Sequence, residues 1–250
     1  MYIFETEINN KKVKLYSNHP LKNAATALLR TLNQVSQKTN IFNPTFAMNY
    51  GWARYFLNKR SDKNVSYYVV QTADYKNNPS QLRTDDCSDA LVIQNMQVDT
   101  NMKANVRRPE PTLYSDTILV LKEAIDAPDV YLNRTEPAKN GDSGWYFGLL
   151  NDEREGQHDN DEFITVPTSE LMKFRGEALR VLQMPVGTLA VFHDNEMTAL
   201  VDKDDNPLNF TTADDRKRAI AAKKAAEAAE AETGDAAGDD AEEKTADGEE

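Results

Sequence analysis

The chain has 250 residues, 40% of them hydrophobic, with ten Tyr, nine Phe and two Trp, enough for one large domain or two smaller ones. Its net charge of -12 is unevenly spread: residues 1–110 carry 15 basic against 9 acidic side chains, residues 111–224 carry 13 against 21, and residues 225–250 carry 1 against 11. The acidic middle section would be repelled by nucleic acid and drawn to a basic protein surface, and apolar runs such as TILVL at 117–121 are far short of the ~20 residues of a membrane span.

The amino terminus, MYIFETEINNKK, lacks a basic region followed by a continuous apolar one, so no secretory signal is expected and the cytoplasm is the default location. Residues 2–7 and 12–16 alternate apolar and polar positions around INNKK, which predicts a hairpin with one buried face. After Pro20, the residues Leu21, Ala24, Leu28, Leu32 and Val35 recur at helical spacing and predict a helix covering that hairpin. The runs VSYYVVQ at 65–71 and ALVIQNMQV at 90–98 read as strands, on either side of a polar stretch. Cys87, the only cysteine, excludes an internal disulfide and fits a reducing compartment. VRRPEPT at 106–112 holds two prolines, closes the basic section and is the expected domain boundary.

Beyond it, TILVLKEAI and DVYLN predict strands, or a strand, helix and strand, leading to the loop NGDSGW. The stretch SELMKFRGEALRVLQM after Thr168 has an imperfect helical stripe interrupted by Gly176, fitting one kinked helix or two short ones. TLAVFH at 188–193 and MTALVDK at 197–203 flank a DNE turn and predict a second hairpin. From 213 the sequence favours an exposed helix that gives way to a disordered acidic tail. The fold expected is α+β: a basic domain at 1–110, a second domain at 111–212 and the tail at 213–250, each domain with a mainly antiparallel sheet and one or two helices. A faint echo between GWARYFLNKR at 51–60 and GWYFGLLNDER at 144–154 suggests that the halves are divergent copies.

GDSG also surrounds the nucleophile of chymotrypsin-like proteases, but a serine nucleophile needs a histidine base and an orienting carboxylate, and neither stands in a recognisable context here. The favoured reading is a turn, with Gly141 and Gly144 allowing positive φ and the Asp142 carboxylate bonding backbone amides. Asp152, Glu153 and Glu155, followed by Asp159, Asp161 and Glu162, match no metal loop or carboxylate dyad, and a solvated acidic surface is favoured over catalysis. No catalytic residue, cofactor or metal ligand is expected. In NYGWARYFLNKR, Tyr50, Trp52 and Tyr55 are interleaved with Arg54, Lys59 and Arg60, a mixture able to stack bases and neutralise phosphates; core aromatics beside surface cations are the plainer reading.

The blocks NRTEP at 133–137, GDSGW at 141–145, the acidic stretch after them and MPVGTLAVF at 184–192 resemble, in order and spacing, the bacterial immunity-protein family thirty-three over roughly residues 116–200. The resemblance implies a small non-enzymatic α+β domain that neutralises a toxin. It places Arg134, Glu136, Asp142, Ser143, Gly144, Trp145, Pro185 and Gly187 at the positions that define the family pattern, and the chain departs from that pattern at Tyr146, where arginine is usual. The leading expectation is therefore a protein-binding module whose partner is basic, a toxin among the candidates, with Trp145 or Tyr146 as aromatic anchor and Arg134, Glu136, Asp142, Asp152, Glu153 and Glu155 around it. The alternative is a phage- or prophage-associated protein binding single-stranded nucleic acid through residues 1–110.

Overall fold

Asn9 and Asn10 both take positive φ, 49° and 59°, which makes them the two-residue turn between strands β1 (Tyr2–Ile8) and β2 (Lys11–Ser17). The computed structural model describes residues 1–63, 65–154, 156–212 and 214–222; Glu155 and the expected tail from 223 onward lie outside the described residues. Helix α1 (Lys22–Ser36) follows Pro20 and buries Ala25, Leu28, Leu29 and Leu32; of the expected stripe Leu28 and Leu32 are fully buried and Leu21, Ala24 and Val35 pack half-buried at its margin, with α1 beside β1. Strands β3 (Ala47–Tyr50), β4 (Ala53–Asp62) and β5 (Val65–Ala73) complete the first sheet, in the order β1-β2-β5-β4-β3, with a two-residue strand β6 (Arg83–Thr84) against β5. β2 and β5 pair in parallel and the other pairs are antiparallel.

Residues 90–98, expected as a strand, belong instead to helix α2 (Ser88–Lys103). The Asp86 carboxylate accepts the backbone N–H of Ser88 at 2.9 Å at the start of this helix. It buries Ser88, Ala90, Leu91, Ile93, Gln94, Gln97, Thr100 and Asn101, a helical face in which five of the eight side chains are polar. A search for apolar periodicity sees only the ALVI run.

The second sheet contains β7 (Thr117–Leu121), β8 (Asp129–Arg134), β9 (Asp142–Leu149), β10 (Phe163–Pro167), β11 (Leu189–His193) and β12 (Glu196–Val201), in the order β10-β7-β9-β8-β11-β12. Only β7 and β9 run parallel in it. The interrupted stripe after Thr168 resolves into helix α3 (Leu171–Phe174), preceded by a 3₁₀ turn at Thr168–Glu170 and followed by a 3₁₀ segment at Gly176–Val181. The architecture is α+β, with two mainly antiparallel sheets and few helices among the described residues.

One hydrophobic cluster takes in Trp52 and Tyr55 from the first sheet, Trp145 and Phe147 from the second, and the apolar side of α2 and of residues 171–184. Buried amides join these layers: Gln97 donates to the Leu179 carbonyl at 2.9 Å, Gln183 donates to Gln97 Oε1 at 2.8 Å, and Asn101 donates to Gln183 Oε1 at 3.0 Å. The two GW echoes occupy different places. Trp52 precedes β4, the first strand of its antiparallel pair, whereas Trp145 lies within β9, the second strand of the corresponding pair β8–β9.

Met1–Phe210 is one compact unit, and residues from Thr211 fall in a second. There Thr212 and Asp215 exchange hydrogen bonds at 3.1 Å, from each backbone N–H to the other's side-chain oxygen, which caps the helical residues 214–222.

Candidate functional site

GDSGW enters β9 through a turn in which the Asp142 and Ser143 side chains are both engaged. Asp142 accepts the N–H of Gly144 at 3.0 Å and that of Ala138 at 2.8 Å. Ser143 is buried; its hydroxyl donates to the Thr117 carbonyl at 2.7 Å and accepts the Trp145 N–H at 3.2 Å. His158 and His193 bond carboxylates elsewhere, so the geometry does not present Ser143 as a nucleophile. Gly144 has φ 71°, and a Cβ there would stand 2.1 Å from the Thr135 carbonyl oxygen, so no side chain fits.

Arg134 is the joint between this turn and the rest of the domain. The residue is 4% exposed; its Nε donates to the Ser143 carbonyl at 3.2 Å and its Nη1 to the carbonyls of Glu110, at 3.1 Å, and Met184. Its own backbone bonds Thr188 and Gly187, and its guanidinium lies 5.6 Å from the Trp145 ring centroid. The three sequence blocks NRTEP, GDSGW and MPVGT therefore meet at one buried cation. Burial is the largest influence on that cation and pulls its pKa below the ordinary value, while Glu110 opposes the shift.

On the opposite, outer face of the sheet, β9 carries Tyr146. Gly148 leaves the space for this ring: a Cβ there would lie 2.6 Å from Tyr146 Cε1. Tyr146 stands edge-on to Tyr131 of β8, with centroids 5.7 Å apart, and 6.3 Å from Phe163 of β10. With Leu119 of β7, which is 42% exposed, these rings floor a cleft of about 410 Å³ whose remaining walls include Asp152 and His158.

The rim is the 151–162 loop, whose described residues carry five carboxylates, Asp152, Glu153, Asp159, Asp161 and Glu162, against Arg154 and His158. His158 Nε2 lies 2.6 Å from Asp152 Oδ2 and Nδ1 lies 3.1 Å from Glu162 Oε2, and the ring is edge-on to Phe163. Arg154 reaches Glu123 at 2.9 Å and Glu162 at 3.0 Å, pinning the loop to the end of β7. The hydrogen bond that the His158 ring donates to Asp152 is the first cause of a raised His158 pKa, followed by the one to Glu162; His158 in turn lowers Asp152. Glu162 is lowered to about 2, first by the Asp159 backbone N–H and then by His158. Among the described residues no group of three or more His, Cys, Asp or Glu is arranged to hold a metal ion.

The order of the three blocks and their convergence on Arg134 point to one family. Residues 96–203 match the family model of the Imm33-like domain. The resemblance to immunity-protein family thirty-three is thereby borne out, and the match begins earlier than the resembling blocks, within α2. Within the match, Gln97, Thr100 and Asn101 of α2 bond Leu179, Arg180 and Gln183. No curated protein and no solved structure matches the chain.

Within the Imm33-like segment the residues singled out from sequence fall into two groups. Tyr146 and Asp152 line the same cleft, and Glu153 is exposed on its loop. Arg134 and Trp145, expected to contact a partner, are 4% and 1% exposed, and their contacts are to the domain's own interior. Asp142 is engaged by its turn, and Glu136 is exposed in the loop before β9, away from the cleft lining. Sequence reading missed Leu119, Tyr131, His158 and Phe163. Outward positions on separate strands become neighbours only once the order β10-β7-β9-β8 is known.

The residues offered for nucleic acid do not form a stacking surface. Trp52 is 1% exposed and Tyr55 0%; Trp52 donates to Thr168 Oγ1 at 3.1 Å and packs on Tyr75 and Tyr114. Tyr50 is half-buried, Arg54 and Lys59 are exposed, and Arg60 pairs with Asp85 at 3.2 Å. Inward alternation along β4 sends Ala53, Tyr55 and Leu57 into the core and leaves the cations outside without those rings. No described helix is long and apolar enough to cross a membrane.

Proposed function

We propose that the Imm33-like segment is a non-enzymatic binding module that neutralises a toxin, or another protein with a basic surface, by docking it on the outer face of the second sheet. The observation that carries this reading is the juxtaposition of an open aromatic floor, Tyr131, Tyr146 and Phe163, with the carboxylate-rich loop 151–162. An aromatic centre inside a charged rim is the anatomy of a protein interface: the rings supply desolvated contact area and the carboxylates steer and orient a cationic partner. Arg134, Gly144 and Trp145 then serve the module by fixing β9, and with it Tyr146, rather than by touching the partner. A reducing, cytoplasmic setting fits the single buried Cys87.

The test is affinity capture from the native host with the full chain, at low and at high salt, beside a Tyr146→Ala/Asp152→Asn variant. A protein retained by the parent at low salt, weakened by high salt and lost by the variant supports the reading. Recovery of no protein under either condition, or equal recovery by the variant, overturns it.

A further inference from the structure

Among the described residues, β1 stands at the end of its sheet and pairs on one side only. The other sheet ends are shorter or covered: β3 has four residues, β10 finishes at Pro167, and β12 is bridged by Pro207 with the Leu208 N–H bonded to the Leu200 carbonyl at 2.8 Å. Ile8 and Lys11 flank the two-residue turn and form a bonded pair, so bonded pairs alternate back through Thr6, Phe4 and Tyr2. The amides and carbonyls of Ile3, Glu5 and Glu7 therefore point away from β2, along the open edge. An unpaired row of this kind is a template for another strand.

A groove of about 480 Å³ runs between this edge and α1. Phe4 and Leu29 give it an apolar floor, Thr26 and Asn33 line it, and Lys22 and Arg30 are exposed along its helical side. Neither Lys22 nor Arg30 has an ion pair among the described residues, whereas Glu5 on the strand side is already neutralised by Lys12 at 2.9 Å and Lys14 at 3.3 Å. The uncompensated charge bordering the groove on the helix is thus positive.

We propose that β1 and α1 form a docking groove for an extended acidic segment of a partner protein, which adds to the first sheet as a further strand. Backbone bonds to Ile3, Glu5 and Glu7 supply affinity, and alternate side chains facing α1 supply selectivity. Lys22 and Arg30 stand about 12 Å apart along the helix. Positions i and i+4 of an added strand stand about 14 Å apart. The matching motif is an acid at i, an apolar residue at i+2 over Phe4 and Leu29, and an acid at i+4. A second copy of this chain fits less well, because the antiparallel register that pairs all of β1 turns its Tyr2, Phe4, Thr6 and Ile8 to the α1 side and offers Lys22 and Arg30 no acid.

The experiment titrates the full isotope-labelled chain with the peptide acetyl-Thr-Glu-Thr-Val-Thr-Glu-Thr-amide and with its counterpart carrying Lys for Glu. Expected are amide shifts and slowed hydrogen exchange at Ile3, Glu5 and Glu7 with the acidic peptide only. In a Lys22→Glu/Arg30→Glu variant, both changes exposed, affinity for the acidic peptide falls about tenfold and the lysine peptide gains it. Shifts absent from β1, equal affinity for both peptides, or edge protection that follows protein concentration rather than peptide would each overturn the proposal. Substitutions in the outer face of the second sheet leave this binding unchanged, so it stands or falls separately from the proposed toxin-docking face.

Discussion

Arg134 Nε donates to the Ser143 carbonyl at 3.2 Å, and the same guanidinium bonds the carbonyls of Glu110 and Met184. One side chain thereby satisfies backbone groups from three separate segments inside the fold. Removing it strands those acceptors, each costing about 1–3 kcal/mol when left buried without a partner. Arg134→Met is expected to destabilise the unit by about 3 kcal/mol or more in urea denaturation, and Arg134→Lys to recover only a minor part, because one ammonium cannot span three carbonyls. A loss below about 1 kcal/mol would mean that water replaces the guanidinium at little cost.

The GDSGW turn gives a ranked series. Ser143→Ala leaves the Thr117 carbonyl and the Trp145 N–H without their hydroxyl partner and is expected to cost about 1–2 kcal/mol. Trp145→Ala empties a fully buried ring site and is expected to cost about 3–5 kcal/mol. Gly144→Ala places a Cβ against the Thr135 carbonyl in a positive-φ backbone and is expected to exceed Ser143→Ala. Thermal or urea unfolding of the three variants checks the order, and a Ser143→Ala protein less stable than Trp145→Ala would reopen the role of the serine.

Much of the fold was legible because the signals were local. The Asn9-Asn10 turn, the Leu28 and Leu32 stripe, and the glycine and aspartate chemistry of 141–145 each read correctly from a few adjacent residues. Helix α2 did not, because Gln97 and Asn101 take core positions by bonding residues roughly eighty positions away, and polarity conceals the helical period. The binding face was half legible. Tyr146 and Asp152 share a segment with the motif, but Tyr131 and Phe163 join them only through strand order, which no local pattern encodes. Trp145 stood out as an aromatic anchor and the core claimed it, whereas the plainer reading of Trp52 and Tyr55 as core aromatics holds.

The His158 cluster predicts a pH window. The His158 pKa is raised from 6.5, so the stability it lends the loop is fully present below 6.5 and fades as pH rises through the higher folded value. Glu162 is lowered from 4.5 to about 2, and Asp152 is lowered from 3.8, so their contributions are present above the unfolded values and are lost as pH falls through the folded ones. The loop is expected to be held most firmly between about 4.5 and 6.5. An NMR titration of the His158 ring checks this, with Asp152→Asn expected to return its pKa toward 6.5. Titration at or below 6.5 in the parent chain would remove the cluster from the account of the loop.

Gly148 separates the floor of the cleft from the scaffold beneath it. Its missing side chain leaves room for the Tyr146 ring, so Gly148→Ala forces that ring out of its place beside Tyr131 while Trp145 and Phe147 stay buried on the other face of β9. Because Tyr146 is only partly buried, it can swing toward solvent, and the stability cost is expected to stay near 1–2 kcal/mol. Partner binding, by contrast, is expected to fall at least tenfold, as it does when an aromatic anchor is removed from the centre of an interface. Tyr146→Ala should do the same, and Tyr146→Phe, which keeps the ring, should retain most of the affinity. Calorimetric titration with the captured partner, run beside unfolding curves, separates the two effects. Gly148→Ala binding as tightly as the parent would place the contact surface elsewhere on the Imm33-like segment.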